Sequence, residues 1–514
     1  MNVGNIFSPY LEKSPNKIAV ICDEQSLTYK ELEVEIIKFM KILDFFNIKK
    51  GDKVSFLIDN NLFLVAAFLG CYRMGVVAVP SSIYSSAKEL ETESKSCGSK
   101  IYFTIDKFHE RLLNIKEDSP TVENVVVIDK KVSNGDFFLL DLYEKTENLL
   151  IKQKSLDLSP QSEAIILYTS GSTGLPKGVT HTHNSLMASA KYRMETLQND
   201  ETDRIFTVTH LAHAAASVVI LLPMLLAGGT AIYTNKHSTQ TYIDIIREHK
   251  VTHFAATPKD WKNLLQSKNI LKEDFKYLKF AFSGGDAVPI ELQKSAQSFL
   301  DIPLAIGLGM TECGGYMTTP PSLTFKLGSL GKPIKHVKVQ LVDDALKEVK
   351  QGETGEILVK SDMTMAYYYK DEENTKKVLV DGWFLTGDLA YKDEDGYYFF
   401  QGRKKNIILK DYMNINPVEV EYALNKHPDI ASVIVFGVKD EERGEKVVAC
   451  IVPNKEDHSL EENVLVEFLH SKIAERKIPD YFMFFDTFPS DTTLGKVNIK
   501  KLKEIVNENF AHFK

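Results

Sequence analysis

Apolar runs of strand length alternate along this chain with stretches whose apolar residues recur at helical spacing, and that alternation limits the fold more than any other feature. KVSFLI (53–58), VVAVP (76–80), NVVVID (124–129), AIILYT (164–169) and TAIYT (230–234) read as buried strands. NLFLVAAFLGCYRMG (61–75) carries the helical period. Strands that take turns with helices are joined by crossovers, which make parallel sheets covered by helices. The expectation is an α/β protein with mostly parallel sheets. Near residue 400 the texture changes to a charged, turn-rich passage, DEDGYYFFQGRKKNIILKDYMN (393–414). After it a helix is predicted around Val418–Asn425, strands around Ala431–Phe436 and Lys446–Val452, a helix around Glu462–Glu475, and a basic tail over Lys496–Glu504. The expected division is a large domain over 1–401, with a small β subdomain, and a smaller α+β domain over 402–514.

Composition then excludes several classes. With 44% apolar and 26% charged residues the chain is neither disordered nor collagen-like nor a coiled coil. Lys plus Arg is 62 and Asp plus Glu is 70, a net charge of −8, without the basic excess of a nucleic-acid binder. Its 514 residues can bury a core that needs no staple. Five scattered cysteines (Cys22, Cys71, Cys97, Cys313, Cys450) form no CxxC pair, which points away from disulfides and structural zinc and toward a reducing, cytoplasmic setting. The opening MNVGNIFSPYLEKSPNK does not read as a signal peptide, and the closing AHFK matches no retention or peroxisomal signal. AAASVVILLPMLLAGG (214–229) is shorter than the ~20 residues that span a bilayer and contains Pro223, so a buried helix is expected there.

The chemistry is concentrated in Tyr168-Thr-Ser-Gly-Ser-Thr-Gly-Leu-Pro-Lys-Gly-Val179, directly after an apolar strand. Small residues let backbone N–H groups approach phosphate oxygens. The hydroxyls of Thr169, Ser170, Ser172 and Thr173 add donors, Gly171 and Gly174 add room, and Lys177 adds positive charge. It is not a Walker loop, because Pro176 stands five positions after Gly171. A solvated Ser/Gly linker would neither follow a buried strand nor end in Pro-Lys-Gly.

This loop resembles the signature of the adenylate-forming superfamily: acyl-CoA synthetases, coumarate ligases, beetle luciferases and adenylation domains of peptide synthetases. LTYKEL (27–32) and KKGDKVSFLIDNN (49–61) are similar to the family's opening. SGGDAV (283–288), GMTE (309–312), TGEILV (354–359), DGWFLTGD (381–388), GRKKNII (402–408), NPVEVE (416–421) and TTLGK (492–496) follow in the family's order.

The resemblance implies ATP-dependent conversion of a carboxylic acid to acyl-AMP, then transfer to CoA. It implies that the 169–177 loop holds the β- and γ-phosphates, that Gly285, Asp286 and Ala287 contact adenine, and that Gly309, Met310 and Thr311 run beside the α-phosphate. Glu312 with Thr169 would carry Mg²⁺, a hard cation that prefers oxygen. Asp388 and Arg403 would contact ribose, Lys496 the carboxylate and α-phosphate, and His213 the reacting carboxylate. The smaller domain would be mobile, pivoting at Lys405 between the two half-reactions.

Two departures from the family stand out. Leu308 replaces the aromatic residue that commonly stacks on adenine, and the junction loop 410–414 has no glycine, with Asp411 and Tyr412 in its place. THLAHAAAS (209–217) occupies the segment that lines the acid; its alanines suit an apolar fatty or aryl acid and offer no aspartate for an amino acid. His210 and His213 are too few to make a metal site. CoA is the expected acceptor. The alternatives are an acyl carrier protein or amine acceptor, or a non-catalytic binder on this fold.

Overall fold

The computed structural model describes residues 2–131, 136–151, 155–169, 176–411, 413–440, 443–454, 460–489 and 497–511. The chain divides into two compact units, residues 1–338 with 359–384, and residues 339–358 with 385–514.

The first unit holds two large sheets. In the eight-stranded sheet, Glu163–Thr169, Val77–Pro80, Lys53–Leu57, Ser99–Thr104, Asn124–Val127 and Phe137–Phe138 run parallel in that order. Lys177–Thr182 and then Tyr367–Tyr368 add antiparallel at one edge. In the nine-stranded sheet, Leu304–Met310, Phe280–Gly284, His253–Ala256, Arg204–Thr207, Thr230–Tyr233 and Ile18–Cys22 run parallel, with antiparallel strands at both ends. The strands predicted over 53–58, 76–80, 124–129, 164–169 and 230–234 are all present, as is the helix within 61–75, at Leu62–Met74. That helix starts where the Asn61 side chain accepts from Phe63 N–H and stops at left-handed Gly75.

The 214–229 stretch is helical and buried. A short helix, Ala214–Ala216, leads into a wide turn, Ser217–Leu221, and then the helix Leu222–Ala227. Pro223 has no N–H to give, so a widened turn before it is the local solution. Among the described residues no helix is long and apolar enough to cross a membrane.

The second unit includes most of a small sheet in which Trp383–Lys392 pairs antiparallel with Tyr398–Arg403. It also has a sheet ordered Met413–Ile415, Ile408–Lys410, Gly444–Pro453 and Ile430–Asp440, with Tyr481–Phe484 parallel to Gly444–Pro453. Pro417–Leu424 and Glu462–His470 are the expected helices. The second is shorter than the sequence suggests: the Ser471 hydroxyl donates to the Phe468 carbonyl at 3.2 Å, a local bond that competes with further helix. The basic tail is also a helix, Ile499–Ala511, anchored by fully buried Leu502 and Val506 against Phe436, Val448 and Cys450.

Candidate active site

The loop 170–176 joins two antiparallel strands, with Thr169 opposite Lys177 in register. Ser170, Gly171, Ser172, Thr173 and Gly174 lie outside the described residues, as do Tyr412 and Lys496. The hairpin bases are described. Gly178 is closely packed: a Cβ there would stand 3.0 Å from Ile166 and 3.3 Å from the Tyr168 ring, so those side chains would have to shift. Lys177 Nζ lies over the Tyr368 ring, 5.0 Å from its centroid.

Tyr368 links that lysine to the acidic motif. Its hydroxyl donates to Glu312 Oε1 at 2.8 Å. Burial first, and the neighbouring Glu312 charge second, push the phenol's pKa up, so it keeps its proton and remains a donor. Glu312 is buried, and its Oε2 makes no hydrogen bond among the described residues. A second carboxylate stands nearby: although burial pushes the other way, hydrogen bonds from Asn374 and the charge of Lys177 hold Asp371 below the usual carboxylate range.

The backbone of the acidic motif is also held. His181 Nε2 lies 2.7 Å from the Thr311 carbonyl, while Nδ1 lies 3.1 Å from Ser185 Oγ. A carbonyl can only accept, so Nε2 carries the proton. Burial lowers the imidazole's pKa, which keeps the ring neutral in that tautomer. Met365 N–H donates to the Glu312 carbonyl at 2.7 Å. Gly309 is obligatory, since a Cβ would meet the Gly314 carbonyl oxygen at 2.4 Å.

Gly285 has a positive φ of 81°, and Asp286 Oδ1 accepts from Ala287 N–H at 2.8 Å, which shapes an exposed turn at the end of the Phe280–Gly284 strand. His213 is half-buried just before the Ala214–Ala216 helix, and its carbonyl accepts from Ser217 Oγ at 3.0 Å. Burial lowers His210 to about 3, which suits a neutral core histidine.

In the second unit, Asp388 and Arg403 are brought together as a cross-strand pair. Arg403 Nε lies 2.9 Å from Asp388 Oδ1, and the carboxylate is 2% exposed. Glu356 is close by, accepting from Gly387 N–H at 3.1 Å and from Lys404 at 3.0 Å. Lys410 and Met413 pair across the junction turn, and Asp411 takes a left-handed φ of 52°, a conformation that favours glycine and is tolerated by aspartate. The Asp411 charge is not left free: Arg443 Nε lies 3.0 and 3.1 Å from its two oxygens. Arg443 also reaches Asp480 at 3.0 Å, which in turn holds buried Lys410 at 2.7 Å.

The sequence model described as "AMP-binding enzyme" matches residues 7–369, and that of the AMP-binding enzyme C-terminal domain matches residues 419–496. The chain belongs to the AMP-binding enzyme family. Among the family's curated members, an indoleacetate–CoA ligase from Aromatoleum aromaticum is 29% identical over 96% of each chain. A fatty acid–[acyl-carrier-protein] ligase from Streptomyces coeruleorubidus is 28% identical over 96% of this chain and 94% of its own. The ATP-bound MatB structure from Rhodopseudomonas palustris superposes with a TM-score of 0.89 over 98% of this chain and 99% of that one, at 24% identity, which bears on the fold alone.

Sequence reasoning missed Tyr368, Asp371 and His181 in this AMP-binding enzyme. Tyr368 sits in a strand of two residues, too short for any periodicity, and its partner Glu312 is 56 positions away. His181 had a readable signal: it lies four residues after Lys177 on the same short strand.

Proposed function

We propose that this enzyme converts a fatty or aryl carboxylic acid to its acyl-AMP and passes the acyl group to the thiol of CoA. A carboxylate oxygen attacks the α-phosphorus of ATP, the bond from that phosphorus to the bridging oxygen breaks, and pyrophosphate leaves. The thiol then loses its proton and attacks the acyl carbon, the C–O bond to the phosphate breaks, and AMP leaves.

The observation that carries this reading is the Lys177–Tyr368–Glu312 cluster at the base of the 169–177 hairpin. Phosphoryl chemistry of this kind needs placed charge far more than covalent help. Lys177 would face the departing phosphates. Glu312, with an oxygen to spare, and Thr169 would hold Mg²⁺. When bound, that ion supplies charge neutralisation on phosphate oxygens. Tyr368 fixes the other carboxylate oxygen, and His181 fixes the carbonyl of Thr311, whose hydroxyl would bond the α-phosphate. Gly285, Asp286 and Ala287 would contact adenine, and Gly309 and Met310 would run beside the α-phosphate. Asp388 would hold the ribose hydroxyls with Arg403. His213 would stand near the reacting carboxylate, and Lys496 would meet it and the α-phosphate. A mobile domain over 402–514, hinged at Lys405, would serve the two steps in turn. Five free, buried thiols support a reducing compartment, and the cytoplasm is the proposed location.

A carrier-protein acceptor is the second reading, favoured by the Streptomyces relative and by the charged, glycine-free turn at Asp411. Pyrophosphate release over a panel of acids tests the adenylation. Adding CoA, and separately a phosphopantetheinylated carrier protein, then decides the acceptor. The reading requires acyl-dependent pyrophosphate release, with AMP and a thioester formed when CoA is added. Accumulation of acyl-AMP in the presence of CoA would remove CoA from the proposal.

A further inference from the structure

Arg193 lies on the buried face of the helix His183–Leu197 and is 4% exposed. Its guanidinium makes no hydrogen bond or ion pair among the described residues, and Nη2 is fully enclosed without a partner. It lies over the Phe282 ring, 5.0 Å from the centroid. Burial pulls its pKa down only to about 10, so it stays charged at neutral pH. His253, which feels that charge, is itself buried, lowered to about 4 and neutral. A buried cation without a counter-charge is costly, and cores rarely keep one.

The surroundings point to a place for a ligand. Gly315, three residues beyond Glu312, has no side chain, and Arg193 Nη1 lies 3.3 Å from where its Cβ would stand. Val219 Cγ1 lies 3.2 Å from the same point. Val219 belongs to the Ser217–Leu221 turn, which continues the 209–217 segment that the family resemblance assigns to the acid. On a neighbouring strand, Gly307 leaves Phe282 within 3.3 Å of its own missing Cβ. A larger residue at 315 or 307 would press on the guanidinium or on the ring beneath it. The guanidinium thus rests against the strand that follows the acidic motif, with no side chain at 315 between them.

We propose that Arg193 receives a second carboxylate at the far end of the substrate, so that the preferred acid is a dicarboxylic acid with an apolar middle. This rests on the reading of the chain as an acid-activating enzyme. A carboxylate matches the planar donor fork of a guanidinium and supplies the missing negative charge. The alanines of 214–216 would face the apolar body of the same molecule.

The test is pyrophosphate release by wild-type enzyme with alkyl and aryl dicarboxylic acids of graded length, each beside its methyl half-ester and its methyl-terminated analogue. A charge-assisted bond of this kind predicts a KM about tenfold or more lower for the best dicarboxylate than for its two analogues. In Arg193→Met that gap should close through a rise in KM for the dicarboxylate, while the methyl-terminated acid is used as well as before or better. Wild-type enzyme that uses methyl-terminated acids at least as well as dicarboxylates at every length would overturn the role of Arg193, and this arm does not depend on the variant folding. No release with any acid, plain fatty and aryl acids included, would instead overturn the adenylation reading.

Discussion

Two buried arginines in the first unit meet the same problem in opposite ways. Arg73, near the end of the Leu62–Met74 helix, is 2% exposed and lies over the Phe7 ring at 5.6 Å. It donates from Nη1 and Nη2 to the two oxygens of Glu33 at 2.8 and 2.6 Å, and from Nε to the Gly4 carbonyl at 3.0 Å. Arg193 is similarly buried, also over a phenylalanine and also against a glycine, yet among the described residues nothing closes its fork. Arg73 is a staple between the chain's start and a core helix. Arg193 is a charge held in reserve. Glu312 stands between these cases, with Oε1 held by Tyr368 and Oε2 without a hydrogen bond among the described residues.

The contrast can be broken by substitution. The largest effect is expected at the closed site: Arg73→Met strands the Glu33 carboxylate, so chemical denaturation should show a loss of about 4 kcal/mol. A loss below ~1 kcal/mol would mean that the bidentate pair does not hold the fold. Next is the half-open site. Glu312→Ala should cut adenylation by about two orders of magnitude, or ~3 kcal/mol, in pyrophosphate exchange. Exchange near the wild-type rate would remove the assigned metal and phosphate role.

Other buried groups solve the problem by giving up charge, and pH reads them out. Burial lowers His183 and His253 to about 4 and His210 to about 3. As pH falls from 7 to 5 the unfolded chain takes up these protons and the folded chain does not, which costs about 2 kcal/mol per histidine. Glu93 works the other way. Burial raises it to about 7 despite the Ser81 hydrogen bond, so it is protonated first in the folded state and regains about 2 kcal/mol over the same window. The expected net loss from these four groups is about 4 kcal/mol, measured as a fall in thermal midpoint; a midpoint that rises toward pH 5 would contradict these assignments. The smallest effect sharpens the contrast most. Arg193→Met should change stability by less than ~1 kcal/mol, or raise it, because no partner is stranded. A loss as large as that at Arg73 would make Arg193 a staple too.

Much of the architecture is legible without coordinates. The strands at 53–57 and 163–169 and the helix at 62–74 follow from runs and periods that depend only on neighbours in sequence. The strand that leads into the glycine-rich run is visible as well, but that Lys177–Thr182 pairs back on it as a second strand is not. The tail helix is less legible, since Leu502 and Val506 are two apolar anchors in a run of lysines. The junction turn is less legible still: only the fold reveals Arg443 paired with Asp411.

The sequence by itself determined the α/β class, the family, and which residue types carry the chemistry, because these depend on local spacing and on motif order. Tertiary structure alone decided the company each charge keeps. The strand Tyr367–Tyr368 adds onto Lys177–Thr182, and that edge pairing sets Tyr368 between Lys177 and Glu312. Arg73 and Arg193 look alike in sequence, each an arginine near the end of a helix with apolar neighbours. A charge is compensated by whatever the opposing surface presents, and the surface each helix meets is chosen by the packing of the whole domain. One helix meets Glu33, and the other meets Phe282 and Gly315, with no carboxylate on the guanidinium among the described residues.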